Sequence, residues 1–216
     1  MPKLRVHNFS ISLDGYGAGP DQSLDEPLGV GGEAFHEWIF RTRGGAEMLG
    51  REGGDEGLDD EIFRRGFEGI GSWILGRNMF GPIRGEWGDS DWSGWWGDEP
   101  PYHCDVFVLT HHERAPLPMA GGTTFHFVTD GIEAALERAL AAAGGQDVRL
   151  GGGVATIQQY VRAGLVDELH VAIAPVFLGG GERLFDGLAD ALDGYERTFR
   201  VGAGTAAHLM LTKPGS

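Results

Sequence analysis

Apolar positions along this chain switch between alternation and helical spacing, and each switch marks the edge of an expected element. Residues 4–13 (LRVHNFSISL) alternate closely enough for a strand that runs into the turn Asp14-Gly15. Within EAFHEWIFRT (33–42), Ala34, Phe35, Trp38, Ile39 and Phe40 fall at helical spacing, and Gly44-Gly45 stops that helix. Residues 43–60 are acidic and glycine-rich and read as a surface excursion before a second helical patch over 62–67. SWIL (72–75) reads as a buried strand that hands over to a helix at Gly76-Arg77-Asn78, whereas residues 81–103 have no period and read as a long ordered loop.

The second half is more regular. DVFVL (105–109) and TFHFV (124–128) are strands, and Thr129-Asp130 offers an N-cap to an alanine-rich helix that closes at Gly144-Gly145. Val148-Arg149-Leu150 runs through Gly151-Gly152-Gly153 into VATIQQYVRA, stopped by Gly164. A strand over 169–177 follows, then two strands within 198–213 about the turn Gly202-Ala203-Gly204. Strands alternating with helices predict an α/β protein of three layers, α-β-α, with a mostly parallel mixed sheet and antiparallel C-terminal strands.

Composition narrows the function. At 216 residues against about 150 per domain, one domain over 1–216 is expected, with loop insertions around 43–60 and 81–103. A net charge of −15 repels phosphate backbones and anionic lipid, so nucleic acid and membranes are disfavoured as partners. The lone Cys104 excludes an internal disulfide, and Met1-Pro2-Lys3-Leu4 lacks an apolar leader, which together point to the cytoplasm.

Ligands of open α/β sheets bind outside the carboxyl ends of the strands, where three corners stand out. Gly151-Gly152-Gly153-Val154 leaves backbone bare at a helix N-terminus, a setting for a pyrophosphate, although close packing alone also demands glycine. A valine at Gly152 is expected to block that anion without unfolding the chain. Gly76-Arg77 opens a helix with a cation, which suits a bound phosphate as well as it suits a solvated side chain. Thr110-His111-His112-Glu113-Arg114 gathers a hydroxyl, two imidazoles and a guanidinium, the groups that hold a ribose phosphate.

Other chemistry is weaker. His103, Cys104, His111 and His112 are zinc-type ligands, but the strand between them separates the pairs by about 3.3 Å per residue, so no metal is expected. No hydroxyl sits in a nucleophile elbow. The tryptophans at 87, 92, 95 and 96 either stack on a planar ligand or anchor their loop, and anchoring is the commoner use.

Taken in order, Ser12-Leu13-Asp14-Gly15, Leu75-Gly76-Arg77, Val108-Leu109-Thr110-His111-His112, Leu150-Gly151-Gly152-Gly153, Gly164-Leu165-Val166-Asp167-Glu168-Leu169 and Pro175-Val176-Phe177-Leu178-Gly179-Gly180-Gly181 resemble the dihydrofolate-reductase-like superfamily, especially the reductase domain of bacterial riboflavin-biosynthesis deaminase-reductases. The resemblance spans nearly the whole chain. It implies NADPH across the strand ends, with pyrophosphate on Gly151, Gly152, Gly153 and Val154, and the adenosine phosphate among Gly76, Arg77, Thr110, His111, His112 and Arg114. Gly17 and Ala18 would flank the nicotinamide, and a pterin- or pyrimidine-like substrate would lie beside the helix 33–42, near Asp14, Trp38 and Phe40. It also implies a homodimer. Where folate reductases carry an acid, four positions before Trp38, this chain has Ala34, and Glu33 and Glu37 flank that place. The expected proton donor is therefore Glu37 or Glu33, held between Trp38 and Phe40 as apolar walls. The rival to a stand-alone reductase is a nucleotide- or carbohydrate-binding protein without turnover.

Overall fold

The computed structural model describes residues 1–81, 85–88, 91–202, 204 and 206–215. In chain order the elements are β1 (Leu4–Ser12), β2 (Tyr16–Ala18), α1 (Glu37–Arg41), α2 (Arg43–Met48), α3 (Leu58–Arg65), β3 (Ile70–Gly76), α4 (Arg77–Phe80), β4 (Asp105–Leu109), β5 (Leu117–Pro118), β6 (Thr124–Val128), α5 (Ile132–Ala142), β7 (Asp147–Gly152), α6 (Val154–Arg162), β8 (Glu168–Ala174), β9 (Glu182–Arg183), β10 (Glu196–Val201) and β11 (Ala207–Thr212). Nine strands form one sheet in the order β10-β11-β8-β1-β7-β3-β4-β6-β5, while β2 pairs with β9. The run from β8 to β6 is parallel, and β10, β11 and β5 join it antiparallel. The expected mixed α/β sheet is thus what forms.

Both faces of the central strands are buried, which explains their nearly continuous apolar runs. On one face Val6, Ile11, Leu150, Leu169 and Val171 pack with Ile157, Tyr160 and Val161 of α6 and with Ala135 and Ala139 of α5. On the other, Trp38, Ile39 and Phe63 cover Ala172. Strand β1 serves both faces through a bulge. Val6 pairs with Leu169 and Phe9 with Val171, so an extra residue is accommodated around Asn8, whose φ is 56°.

Several local expectations are corrected. The 33–42 helix is a 3-10 turn over Gly32–His36 followed by the short α1. The excursion 43–60 contains α2 and the start of α3. Thr42 Oγ1 caps α2 by accepting the Gly45 N–H at 2.9 Å, and Asp60 accepts the Gly44 N–H at 2.6 Å. The C-terminal carbonyls of α3 and its following turn are satisfied from the sheet. Phe63 O accepts from Asn8 Nδ2, Arg65 O and Glu68 O from Arg5, and Gly66 O from Arg149 Nη1, at 2.8–3.0 Å. Buried guanidiniums thus meet the negative end of a helix, a placement its dipole favours. Helix α5 is preceded by Gly131 with no side-chain cap, and Asp130 instead pairs with Arg138.

The described part of the loop over 81–103 packs on the β3-β4-β6 part of the sheet. Trp87 packs with Phe80, Val106, Val108 and Phe125, and Trp92 Nε1 donates to Phe80 O at 2.8 Å. These two tryptophans therefore anchor the loop. Ala203 of the expected final turn, and residues 82–84 and 89–90 of the loop, lie outside the described residues. Among the described residues no helix is long and apolar enough to cross a membrane, and no group of three or more His, Cys, Asp or Glu is placed to hold a metal ion.

Candidate functional site

The carboxyl ends of β1, β7, β3 and β4 stand side by side, spanning about 14 Å at ~4.8 Å per strand. The glycine corner at the end of β7 lies in the middle. Gly153 precedes α6, no side chain caps that helix, and a Cβ built on Gly153 would meet nothing within 4 Å. The α6 N-terminus thus has no side-chain cap and the space beside Gly153 is open, the setting an anion requires. Gly152 has φ 131°, the Gly152–Gly153 peptide is cis, and a Cβ on Gly152 would lie 3.1 Å from Phe9. Valine at Gly152 is strained by the backbone itself, so the expected clean block fails there and passes to Gly153. A Cβ on Gly151 would sit 2.6 Å from Leu75, which makes that glycine a packing requirement.

Two neighbours join this corner. A Cβ on Gly76 would fall 2.2 Å from Thr156 Oγ1 and 3.3 Å from Gly152 O, so the start of α4 is pressed against α6. A Cβ on Gly17 would fall 2.6 Å from Phe9 and 2.9 Å from Val154. Phe9 thus underlies both Gly17 and Gly152, a floor that the strand pattern alone did not single out. Ala18 is buried beside Gly17.

Beyond Gly76 the site turns cationic. The guanidinium carbon of Arg77 lies 2.9 Å from the Trp87 ring centroid and that of Arg114 4.8 Å from it. Trp87 is fixed by donating Nε1–H to His112 O at 2.9 Å, and the His112 N–H donates to Thr110 Oγ1 at 3.2 Å. Burial and the nearby Arg114 cation lower the Arg77 pKa to about 10, and burial lowers that of Arg114. Both stay charged at neutral pH. Arg114 Nη1 is buried without a hydrogen-bond partner among the described residues, a donor left for an anion. His112 also pairs with Glu86 at 3.1 Å, and His111 is exposed.

The substrate side differs from expectation. Trp38 is 1% exposed and donates Nε1–H to Ser10 Oγ at 2.8 Å, so it belongs to the core. Phe40 is 45% exposed, and Glu33 and Glu37 are exposed as well, so no apolar enclosure forms around either carboxylate. The reason is phase, since Trp38 and Ile39 turn inward and Glu37 and Phe40 then face solvent. Asp14 accepts the N–H groups of Leu178 at 3.1 Å and Gly179 at 2.8 Å. The hydrogen bond from Ser12, joined by these, holds its pKa down at about 2 despite partial desolvation. It clamps the end of β1 to the loop after β8. An open cavity of about 420 Å³ beside it is lined by Ile11, Leu13, Ile173, Arg183 and Phe185.

With this geometry in place, comparisons identify relatives. The profile of the RibD C-terminal domain matches residues 2–193. No curated protein matches the sequence. Among solved structures, one described as a riboflavin biosynthesis protein from Shewanella sp. PV-4 is 21% identical, with 98% of each chain covered and a TM-score of 0.57. The diaminohydroxyphosphoribosylaminopyrimidine deaminase/5-amino-6-(5-phosphoribosylamino)uracil reductase of Thermotoga maritima is 11% identical, with a TM-score of 0.60 over 98% of this chain and 56% of its own. A dihydrofolate reductase from Enterococcus faecalis in complex with NADP(H) is 13% identical over 98% of this chain and 96% of its own, at a TM-score of 0.49. At such identities the likeness to the Shewanella and Thermotoga structures establishes the fold.

Proposed function

The chain belongs to the RibD C-terminal domain family, whose members are NADPH-dependent oxidoreductases, and from that premise we propose that it is a reductase that uses NADPH to reduce a small pterin- or pyrimidine-like heterocycle. The observation that carries this reading is the continuity of the open Gly153 corner with the Arg77–Arg114 corner through Gly76. A bare helix N-terminus suits a pyrophosphate, and two desolvated guanidiniums suit a terminal phosphate. Bound NADPH supplies the hydride. Val154 and Gly153 hold the diphosphate by backbone N–H, Gly17 and Ala18 shape the nicotinamide end, and Phe9 supports both from beneath. Arg77, Arg114, Thr110 and the two histidines take the adenosine phosphate. Reduction also requires a proton. Glu33 and Glu37 are candidate donors because the 3-10 turn before α1 packs over β1 and β8, with water able to reach both carboxylates.

We also place the protein in the cytoplasm as a homodimer. Strand β10 supports the latter, since it is an open sheet edge with Phe199 64% and Val201 74% exposed. The test of function is fluorescence titration with NADPH, followed by NADPH oxidation in the presence of pterins and ribosylaminopyrimidines. Oxidation with one substrate class supports the reductase. Tight binding with no turnover on any of them favours the non-catalytic reading, to which the exposed glutamates and the buried Trp38 lend support.

A further inference from the structure

Beneath Trp38 lies a chain of polar groups for which hydride transfer has no use. His170 on β8 and His208 on β11 are 0% and 2% exposed, and they connect the bulge of β1 to α3. The Asn8 backbone N–H donates to His170 Nδ1 at 3.0 Å, His170 Nε2 lies 3.0 Å from His208 Nδ1, and His208 Nε2 lies 3.0 Å from Asp59 Oδ1. A backbone amide can only donate, and this fixes the rest. His170 Nδ1 must be bare, its Nε2 must carry the proton, His208 Nδ1 must accept, and His208 Nε2–H must donate to the carboxylate. All three bonds exist together only when both rings are neutral.

Adding one proton to either ring removes a bond wherever on that ring it lands. On His170 Nδ1 it faces the Asn8 N–H directly. On His208 Nδ1 it faces His170 Nε2–H, and if His170 shifts its own proton to Nδ1 the clash moves to Asn8. The relay ends one residue before Phe9, the floor beneath Gly17 and Gly152. We propose that His170, His208 and Asp59 are positioning residues that hold the β1 bulge, and through it Phe9, in the arrangement the glycine corner needs, and that proton uptake by the relay releases them.

The surroundings set the direction. Burial opposes a proton on His170 most, and His7 on β1, His208 on β11, Arg149 on β7 and Arg65 on α3 all oppose it as well. Asp59 on α3 favours one on the relay, while Arg200 of the neighbouring β10 is engaged by Glu61. The relay is therefore closed at neutral pH and opens in acid. Removal of the Asp59 charge should delay opening to lower pH.

The test follows the Asn8 amide and Phe9 ring by NMR from pH 8 down to acid unfolding, with circular dichroism reporting the fold and NADPH affinity measured in parallel. Only the affinity readout rests on the cofactor reading. In the unmodified protein, Asn8 protection and the Phe9 signals should change in one common transition with the fold intact, and NADPH should weaken across it by at least about fivefold, the low end of coupling between sites. Asp59→Asn should move that transition to lower pH. His170→Phe should lose Asn8 protection at every pH, and His170→Asn, whose amide oxygen can accept the same N–H, should restore it. If His170→Phe does not fold, the Asp59→Asn shift decides. Asn8 and Phe9 signals that stay constant until the fold is lost, or a transition that Asp59→Asn does not move, overturn the relay. A relay that behaves as described while NADPH binds at no pH overturns the cofactor reading instead.

Discussion

Trp38 donates its indole N–H to Ser10 Oγ at 2.8 Å, a bond made in the core between α1 and β1. Its ring meets Phe63 and His208 edge-on, at 6.5 Å and 5.1 Å between centroids. Trp38→Phe removes the donor and about half of the packing, which should cost about 2–3 kcal/mol in urea denaturation. Adding Ser10→Ala should recover part of that loss, because no buried hydroxyl is then left without its partner. A Trp38→Phe protein of unchanged stability would instead make the residue a pocket wall, as the family resemblance implies.

Strands β4 and β6 fall on the residues read from sequence, since five-residue apolar runs bounded by polar turns admit few alternatives. Helix α3 was placed late and α2 was not seen, because their support is distant in sequence. Asp60 reaches Gly44, and Arg5 and Arg149 reach the carbonyls of Arg65 and Gly66. The short β2, β5 and β9 are held by their partners and have no pattern of their own. At the site, glycines between strand and helix were legible as bare backbone. The position of Phe9 depends on a bulge that alternation cannot reveal, and His7, His170 and His208 carry no local signal of their meeting.

Arg77 and Arg114 both lie over the Trp87 ring, so each should discriminate NADPH from NADH. Arg114→Gln should weaken NADPH by about tenfold or more, the worth of a charge-assisted bond, and leave NADH affinity nearly unchanged. Comparing fluorescence titrations with the two cofactors measures this directly. Equal losses for both would move the phosphate away from this corner.

Acid should destabilise the fold through its buried histidines. Burial, reinforced by the cations of Arg5, Arg149 and Arg65, lowers the His7 pKa to about 3, and burial also lowers that of His170. In the unfolded chain both titrate near 6.5, so below that pH the unfolded state binds more protons and stability falls as pH falls. Above about pH 6.5 this contribution is complete. Between about pH 5.5 and the folded value, each group should remove about 1.4 kcal/mol per pH unit. His7→Leu removes one of the two, and neither His7 ring nitrogen has a partner at hydrogen-bond geometry among the described residues. Urea midpoints at pH 7 and pH 5 should then differ less in the variant than in the parent. An equal difference would assign the acid sensitivity to other groups.

Gly153 supplies the most direct test of the cofactor corner. Its φ of −79° is open to any residue, and the space beyond its Cα is empty within 4 Å. Gly153→Val should therefore fold, at a cost of about 1 kcal/mol for an unfavourable residue at a helix N-cap. Its branched side chain would stand before the first N–H groups of α6, where the diphosphate is proposed to lie. NADPH affinity should fall by about a hundredfold, since more than one charge-assisted bond is lost, and Gly153→Ala should fall between variant and parent. Gly152→Val is the contrasting control. At φ 131° and 3.1 Å from Phe9 it strains the backbone and the floor together, so its loss of binding should come with a loss of thermal stability. A Gly153→Val protein that folds and binds NADPH as the parent does would leave the α6 N-terminus without a ligand, and the cofactor would have to cross the sheet elsewhere.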